Sequence, residues 1–221
     1  MADFGMRQRN VFLVDDHPIV RQGLVQLIEQ ESDLRVCGQA ADVKEARASL
    51  AKMLPDIVIL DLSLRDSDGL ELVKDIRSKY EHLPVLILSM HDESIYAERL
   101  LSAGANGYIM KQAAADQLLT AVRRVLAGGI YVSDRVGASM IERFAVSGRV
   151  RSADPIARLS NRELQVLNLV GRGKTTREIA GTLNLSVKTV ESHRQRIKKK
   201  LNLTTAPQLV QFAVNWYSER H

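Results

Sequence analysis

Over its first 128 residues the chain alternates short apolar runs with amphipathic stretches, and nothing else in the sequence constrains the fold as tightly. The runs are Val11–Val14, Leu34–Cys37, Ile57–Leu60, Val85–Leu88 and Gly107–Met110. Runs this short suit strands buried on both faces. Between them the apolar residues recur at helical spacing, as at Val20, Leu24, Leu27 and Ile28, and again at Leu72, Val73, Ile76 and Tyr80. Pro18 suits a first helical turn, Asp42 and Asp68 suit N-caps, and Gly104 suits a helix C-terminus. Five repeats of strand then helix in about 120 residues predict a parallel α/β sheet with helices on both faces.

After "LAGG" (Leu126 to Gly129) the strands stop. Residues 129–156 read as a linker, with a short helix between Asp134 and Phe144 and a Ser-, Gly- and Arg-rich stretch, "AVSGRVRSADP", ending at Pro155. Residues 157–221 carry helical patterns only and predict a small all-α domain. Charge divides at the same place. Residues 149–221 hold 14 Lys and Arg against 5 Asp and Glu, a net of +9, whereas residues 1–148 hold 17 against 21, a net of −4. A basic second half is a candidate for nucleic acid. The longest apolar runs are far too short to span a bilayer, and "MADFGMRQRN" has no apolar signal segment, so no membrane partner is expected. The single cysteine, Cys37, cannot form an internal disulfide and reads as a small buried hydrophobe, which fits a reducing cytoplasm.

In open parallel sheets the functional residues gather at the carboxyl ends of the strands, near the topological switch point. Asp15 and Asp16 follow the first strand and Asp61 ends the third. In a flavodoxin-like (βα)5 order those strands are neighbours, so three carboxylates converge on one rim. One aspartate at a strand end commonly caps a turn. Three at two matched ends favour a cation, because their repulsion is otherwise costly. All-oxygen ligands with open water positions suit Mg²⁺. Ser89 ends the fourth strand with a hydroxyl and Lys111 ends the fifth with an ammonium. Those groups and a cation around one carboxylate can share out the oxygens of a phosphoryl group while the carboxylate acts as nucleophile.

"LVDDHP", "VILDL…DGL", "LILSMHD" and "GYIMK" fall at the spacings of a two-component response-regulator receiver domain, and residues 8–128 resemble one. The resemblance implies phosphorylation of Asp61 by a sensor histidine kinase. It makes Asp16 a direct Mg²⁺ ligand, Asp15 a ligand partly through water, and the backbone carbonyl of Ser63 the last protein ligand. Ser89 and Lys111 would hold phosphoryl oxygens, and Tyr108 matches the aromatic switch position. Two departures stand out. Arg65 replaces a common proline four residues after the phosphoacceptor, and Gln112 replaces the proline that often follows the lysine. Ser63, Met90 and His91 flank the site, where they are able to tune water access. His17 and His91 read as solvated or capping histidines rather than metal ligands.

In the basic half, "SNRE" places Ser160 three residues before Glu163 and "TTRE" places Thr175 three before Glu178, two capping boxes that open helices. "NLS" then turns the chain and Ser186 can cap a third helix. At about 100° per residue, Val190, Ile197 and Leu201 share one side of that helix. Lys188, Ser192, Gln195 and Lys199 lie opposite, with Glu191 and Arg196 at the flanks. A polar, basic helix after a tight turn is the recognition helix of a helix-turn-helix. "LSNRELQVLNLVGRGKTTREIAGTLNLSVKTVESHRQRIKKKL" resembles the LuxR-type four-helix DNA-binding domain. Carried over, Thr189, His193, Arg196 and Lys199 approach phosphates, and Lys188, Glu191, Ser192 and Gln195 face bases. "GRGK" follows a helix and is not read as a phosphate loop. The last helix, opened near Pro207, is apolar over roughly 200° of its wheel. Part of it, Leu209, Phe212, Ala213 and Trp216, is expected to form a two-fold dimer contact on double-stranded DNA. Packing against the receiver domain is the competing use of that face.

Together the halves resemble a NarL/FixJ-type response regulator, which implies a cytoplasmic transcription regulator rather than an enzyme. The alternatives are a Mg²⁺-dependent phosphohydrolase and a regulator of the same fold that works without phosphorylation. The first leaves the basic half unexplained, places no second general acid near Asp61, and lacks the D-x-D start in "DLSLRD".

Overall fold

The apolar runs become strands because residues buried on both faces have nowhere to put a polar side chain. The computed structural model describes residues 8–64, 68–113, 115–147 and 155–218. Five parallel strands form one sheet: β1 (Arg9–Val14), β2 (Leu34–Ala40), β3 (Ile57–Asp61), β4 (Val85–Ser89) and β5 (Gly107–Met110). Their order is β2-β1-β3-β4-β5, the flavodoxin-like arrangement. The connecting helices are α1 (Pro18–Glu29), α2 (Val43–Leu50), α3 (Gly69–Lys79), α4 (Glu93–Ser102) and α5 (Ala115–Leu126). Every residue of β3 and β4 is buried.

The local signals act where the sequence puts them. Pro18 opens α1, and the Asp42 and Asp68 carboxylates cap α2 and α3 by accepting from the amides of Glu45 and Leu70. Gly104 follows α4 with φ +106°, a conformation open to glycine. Register then builds the rim. Val14 pairs with Leu60, Asp61 with Leu88, and Ser89 with Met110. Asp15, Asp61, Ser89 and Lys111 thus leave the sheet at one level.

The chain divides into two compact units, Met1–Val146 and Ser147–His221. The predicted short helix exists as α6 (Asp134–Ser147), longer than expected. Nearly all of it belongs to the first unit rather than to a free linker, because residues 130–133 lie along β5. Most of the Ser-, Gly- and Arg-rich stretch, and Arg65, lie outside the described residues.

The second unit holds a 3-10 turn (Pro155–Arg158) and the helices α7 (Asn161–Gly171), α8 (Thr176–Leu183), α9 (Val187–Lys200) and α10 (Ala206–Ser218). Both capping boxes form, Ser160 with Glu163 and Thr175 with Glu178. Asn184 closes α8 in the left-handed region, at φ 52° and ψ 44°. That residue turns the chain into Ser186, whose side chain accepts from the Thr189 amide at the start of α9. Among the described residues no helix is long and apolar enough to cross a membrane.

Candidate functional site

Asp15 and Asp61 are 1% and 3% exposed. Two carboxylates so far from water must be paired or must hold a cation. Lys111 supplies the pairing. Its Nζ donates to Asp15 Oδ2 at 2.6 Å and to Asp61 Oδ2 at 2.8 Å. Ligand atoms of Asp15, Asp16, His17 and Asp61 all lie within 4.8 Å of one another. The His17 amide donates to Asp15 Oδ1 at 2.8 Å. The His17 ring Nδ1 sits 2.7 Å from Asp16 Oδ1 and 3.3 Å from Asp15 Oδ1. So His17 occupies the N-cap of α1 without capping it, and its ring leans on the carboxylates instead.

The charges at this rim are tuned by burial and by each other. Burial pushes the Asp61 carboxyl up, and the Lys111 ammonium and the Ser63 amide only partly offset it. Burial would push Lys111 down, yet Asp61 and Asp15 together outweigh it and the ammonium is held above its ordinary value. The asymmetry is physical: the lysine meets two anions, whereas Asp61 meets one cation and a second anion.

Ser63 donates its amide to Asp61 Oδ1 at 3.1 Å. Its hydroxyl lies 2.7 Å from His91 Nε2. This bridge joins the loop after β3 to the loop after β4. The sequence placed both residues beside the site but had no signal for their bond. Ser89 is fully buried, and its Oγ accepts from the His91 amide at 3.2 Å. Tyr108 is buried too, and its hydroxyl donates to the His91 carbonyl at 2.9 Å. Burial raises the Tyr108 phenol, with a hydrogen bond to Ser89 opposing it. The aromatic side chain therefore already points inward toward Ser89.

On α9 the predicted outer face is largely present. Lys188, Glu191, Ser192, Gln195, Arg196 and Lys199 are exposed, and Val190 and Ile197 are buried. Thr189 is half-buried, its hydroxyl 2.8 Å from that of Ser186. His193 is less open than the rest of this face. It is half-buried with Nδ1 enclosed and without a partner, because its position on the wheel turns it toward α7.

The dimer contact expected on α10 is corrected by its burial. Leu209, Ala213 and Trp216 are buried inside the second unit, so they have no surface to offer a second copy. Gly171 is the physical reason. A Cβ there would meet the Ala213 carbonyl oxygen at 2.5 Å and Tyr217 Cβ at 2.8 Å. Glycine lets α7 lie against α10 and absorb its inner stripe. Phe212 is half-buried, and Val210 and Val214 are the exposed apolar residues of this helix.

Two family patterns match the chain. That of the response regulator receiver domain covers residues 11–123, and that of bacterial regulatory proteins of the luxR family covers residues 157–213. The chain belongs to the response regulators, with a receiver domain followed by a LuxR-type DNA-binding domain. Among named proteins it is similar to the oxygen regulatory protein NreC of Staphylococcus epidermidis (strain ATCC 12228 / FDA PCI 1200), 37% identical over 209 residues, which cover 92% of this chain and 96% of that protein. NreC of Staphylococcus carnosus (strain TM300) gives the same identity and coverage. RcsB from Salmonella enterica serovar Typhimurium, solved on promoter rprA with the phosphomimetic BeF3-, is 28% identical with a TM-score of 0.58 over 94% of this chain and 99% of that one. A LuxR-family response regulator from Aurantimonas sp. SI85-9A1 is 36% identical with a TM-score of 0.58, over 62% of this chain and 99% of that one.

Proposed function

We propose that Asp61 accepts a phosphoryl group from a sensor histidine kinase and that the modification controls binding of residues 157–221 to double-stranded DNA. One observation carries this reading: a buried aspartate at the carboxyl end of β3 shares the Lys111 ammonium with Asp15, beside the buried Ser89 hydroxyl. An Asp61 oxygen forms the new P–O bond as the P–N bond of the donor phosphohistidine breaks, and the leaving imidazole takes a proton. Lys111 is placed to exchange its bond with Asp61 for one with a phosphoryl oxygen, and Ser89 to donate to another. The oxygen-rich donor set fits Mg²⁺, held by Asp15, Asp16, Asp61 and the carbonyl of Ser63. When bound, the ion neutralises charge on the phosphoryl oxygens.

The acyl phosphate biases a population rather than creating a new fold. It favours the state in which Ser89 and Tyr108 point inward, and so the matching surface of α4, β5 and α5. On DNA, Lys188, Glu191, Ser192 and Gln195 read base edges, while Thr189, Arg196 and Lys199 contact phosphates. His193, half-buried beside them, is the remaining phosphate candidate. The relative RcsB has been solved as dimers bound to DNA. That supports reading this chain as a homodimer on DNA, with the exposed side of α10 around Phe212, Val210 and Val214 as its contact. The test is intact-mass analysis after incubation with a small acyl phosphate and Mg²⁺. Wild-type protein gains one phosphoryl group and Asp61→Asn gains none. Equal uptake by the variant removes Asp61 from the role.

A further inference from the structure

β5 is the last strand of the sheet, so one of its edges would present open backbone groups. Residues 130–133 cover that edge. Gly107 and Tyr131 form a parallel bridge. The Tyr108 amide donates to the Tyr131 carbonyl at 2.8 Å, and the Tyr131 amide donates to the Asn106 carbonyl at 3.1 Å. The approach is close: a Cβ on Gly107 would sit 3.0 Å from the Tyr131 carbonyl oxygen. The same short segment is held from a second direction. Glu93, in the first turn of α4, is only 7% exposed. Its Oε1 accepts from the Ser133 amide at 2.7 Å. Ser133 in turn begins α6, its carbonyl accepting from the Gly137 amide at 2.9 Å.

A glutamate at a helix start is normally left in water, where the dipole already favours it. Turning it inward to hold one backbone amide costs desolvation unless that bond is kept. The segment is thus stitched both to the strand that carries Tyr108 and to the helix that follows Ser89. Beyond covering the edge, it leads directly into α6, the last helix of the first unit.

We propose that Tyr131–Ser133, clamped by Glu93, is the strap that transmits the state of the β5–α4 surface to α6 and so to the DNA-binding unit. The inference rests on phosphorylation-controlled DNA binding as read above. When Tyr108 and α4 shift together, the strap shifts as one piece. When the Glu93 clamp is cut, Tyr131 still follows β5, but Ser133 and the start of α6 no longer follow α4.

The test uses full-length protein, a small acyl phosphate with Mg²⁺, and a duplex selected from a random-sequence pool by the phosphorylated wild type. Glu93→Ala is expected to take up phosphoryl at Asp61 as wild type does and to lose the gain in DNA affinity that phosphorylation brings. Glu93→Gln, whose amide oxygen still accepts from Ser133, is expected to keep that gain. Ser133→Pro removes the donor without touching α4, and is expected to behave as Glu93→Ala does, so a folding failure of either variant leaves the other decisive. Hydrogen exchange at residues 131–136 should respond to phosphorylation in wild type and Glu93→Gln only. A full gain in affinity for Glu93→Ala or Ser133→Pro overturns the strap. Absent uptake, or an absent gain in wild type, instead overturns the functional reading beneath it.

Discussion

Asp61 and Lys111 work as a pair whose members are unequally served. The lysine has two anions and the aspartate one cation, so the site holds its ammonium firmly and its nucleophile under strain of burial. In the proposed reading a phosphoryl group relieves that imbalance by giving Lys111 a new acceptor. How long it stays depends on water. The Ser63–His91 bridge ties the loop after β3 to the loop after β4, and we propose that it restricts the approach of water. His91→Ala is expected to speed loss of the acyl phosphate by roughly fivefold, the equivalent of one hydrogen bond of about 1 kcal/mol. Following the phosphorylated mass over time checks this; an unchanged half-life removes the bridge from the timing. His193 makes a separate prediction. Burial pushes its imidazole down, with Arg196 and Arg162 adding to the effect and Glu163 opposing it. The unfolded chain therefore takes up a proton below about 6.5 that native His193 resists, and stability falls as pH drops from there toward the lower native value. Trp216, the sole tryptophan, reports on the second unit. Its urea midpoint should fall between about pH 7 and about pH 5.5, and fall less in His193→Gln.

At the scale of elements, the proposed reading divides the outer residues of α9 between two tasks. Lys199→Ala is expected to weaken DNA binding on all sequences and lower the salt slope by about 1. Gln195→Ala should instead relax preference at one base position, by about 1–3 kcal/mol. Titrations at several salt concentrations with matched and mismatched duplexes separate the two. The elements themselves were readable because their signals are local. Ser160 with Glu163 and Thr175 with Glu178 carry both halves of a capping box within four residues. The fate of α10 was not readable in the same way. A helical wheel gives the width of an apolar face but not the neighbour that covers it. Gly171 hid that neighbour, since a glycine at a helix end reads first as a terminator and only in three dimensions as the place where α10 comes close.

Across the whole molecule, the strand ends carried the site because a parallel sheet forces them to one rim. Order and spacing along the chain therefore bring Asp15, Asp61, Ser89 and Lys111 together. The bonds between Ser63 and His91 and between Glu93 and Ser133 were invisible, because turns far apart in sequence leave no periodic trace. The charge split, −4 in residues 1–148 and +9 in residues 149–221, agrees with the receiver pattern over residues 11–123 and the luxR-family pattern over residues 157–213. The central claim is that the first unit governs the second. The most direct measurement is the affinity of full-length protein for its selected duplex, with and without an acyl phosphate and Mg²⁺, for wild type and Asp61→Asn. The account predicts tighter binding on phosphorylation for wild type and no change for the variant. An equal gain in Asp61→Asn, or none in a wild-type protein shown to carry the phosphoryl group, would contradict it.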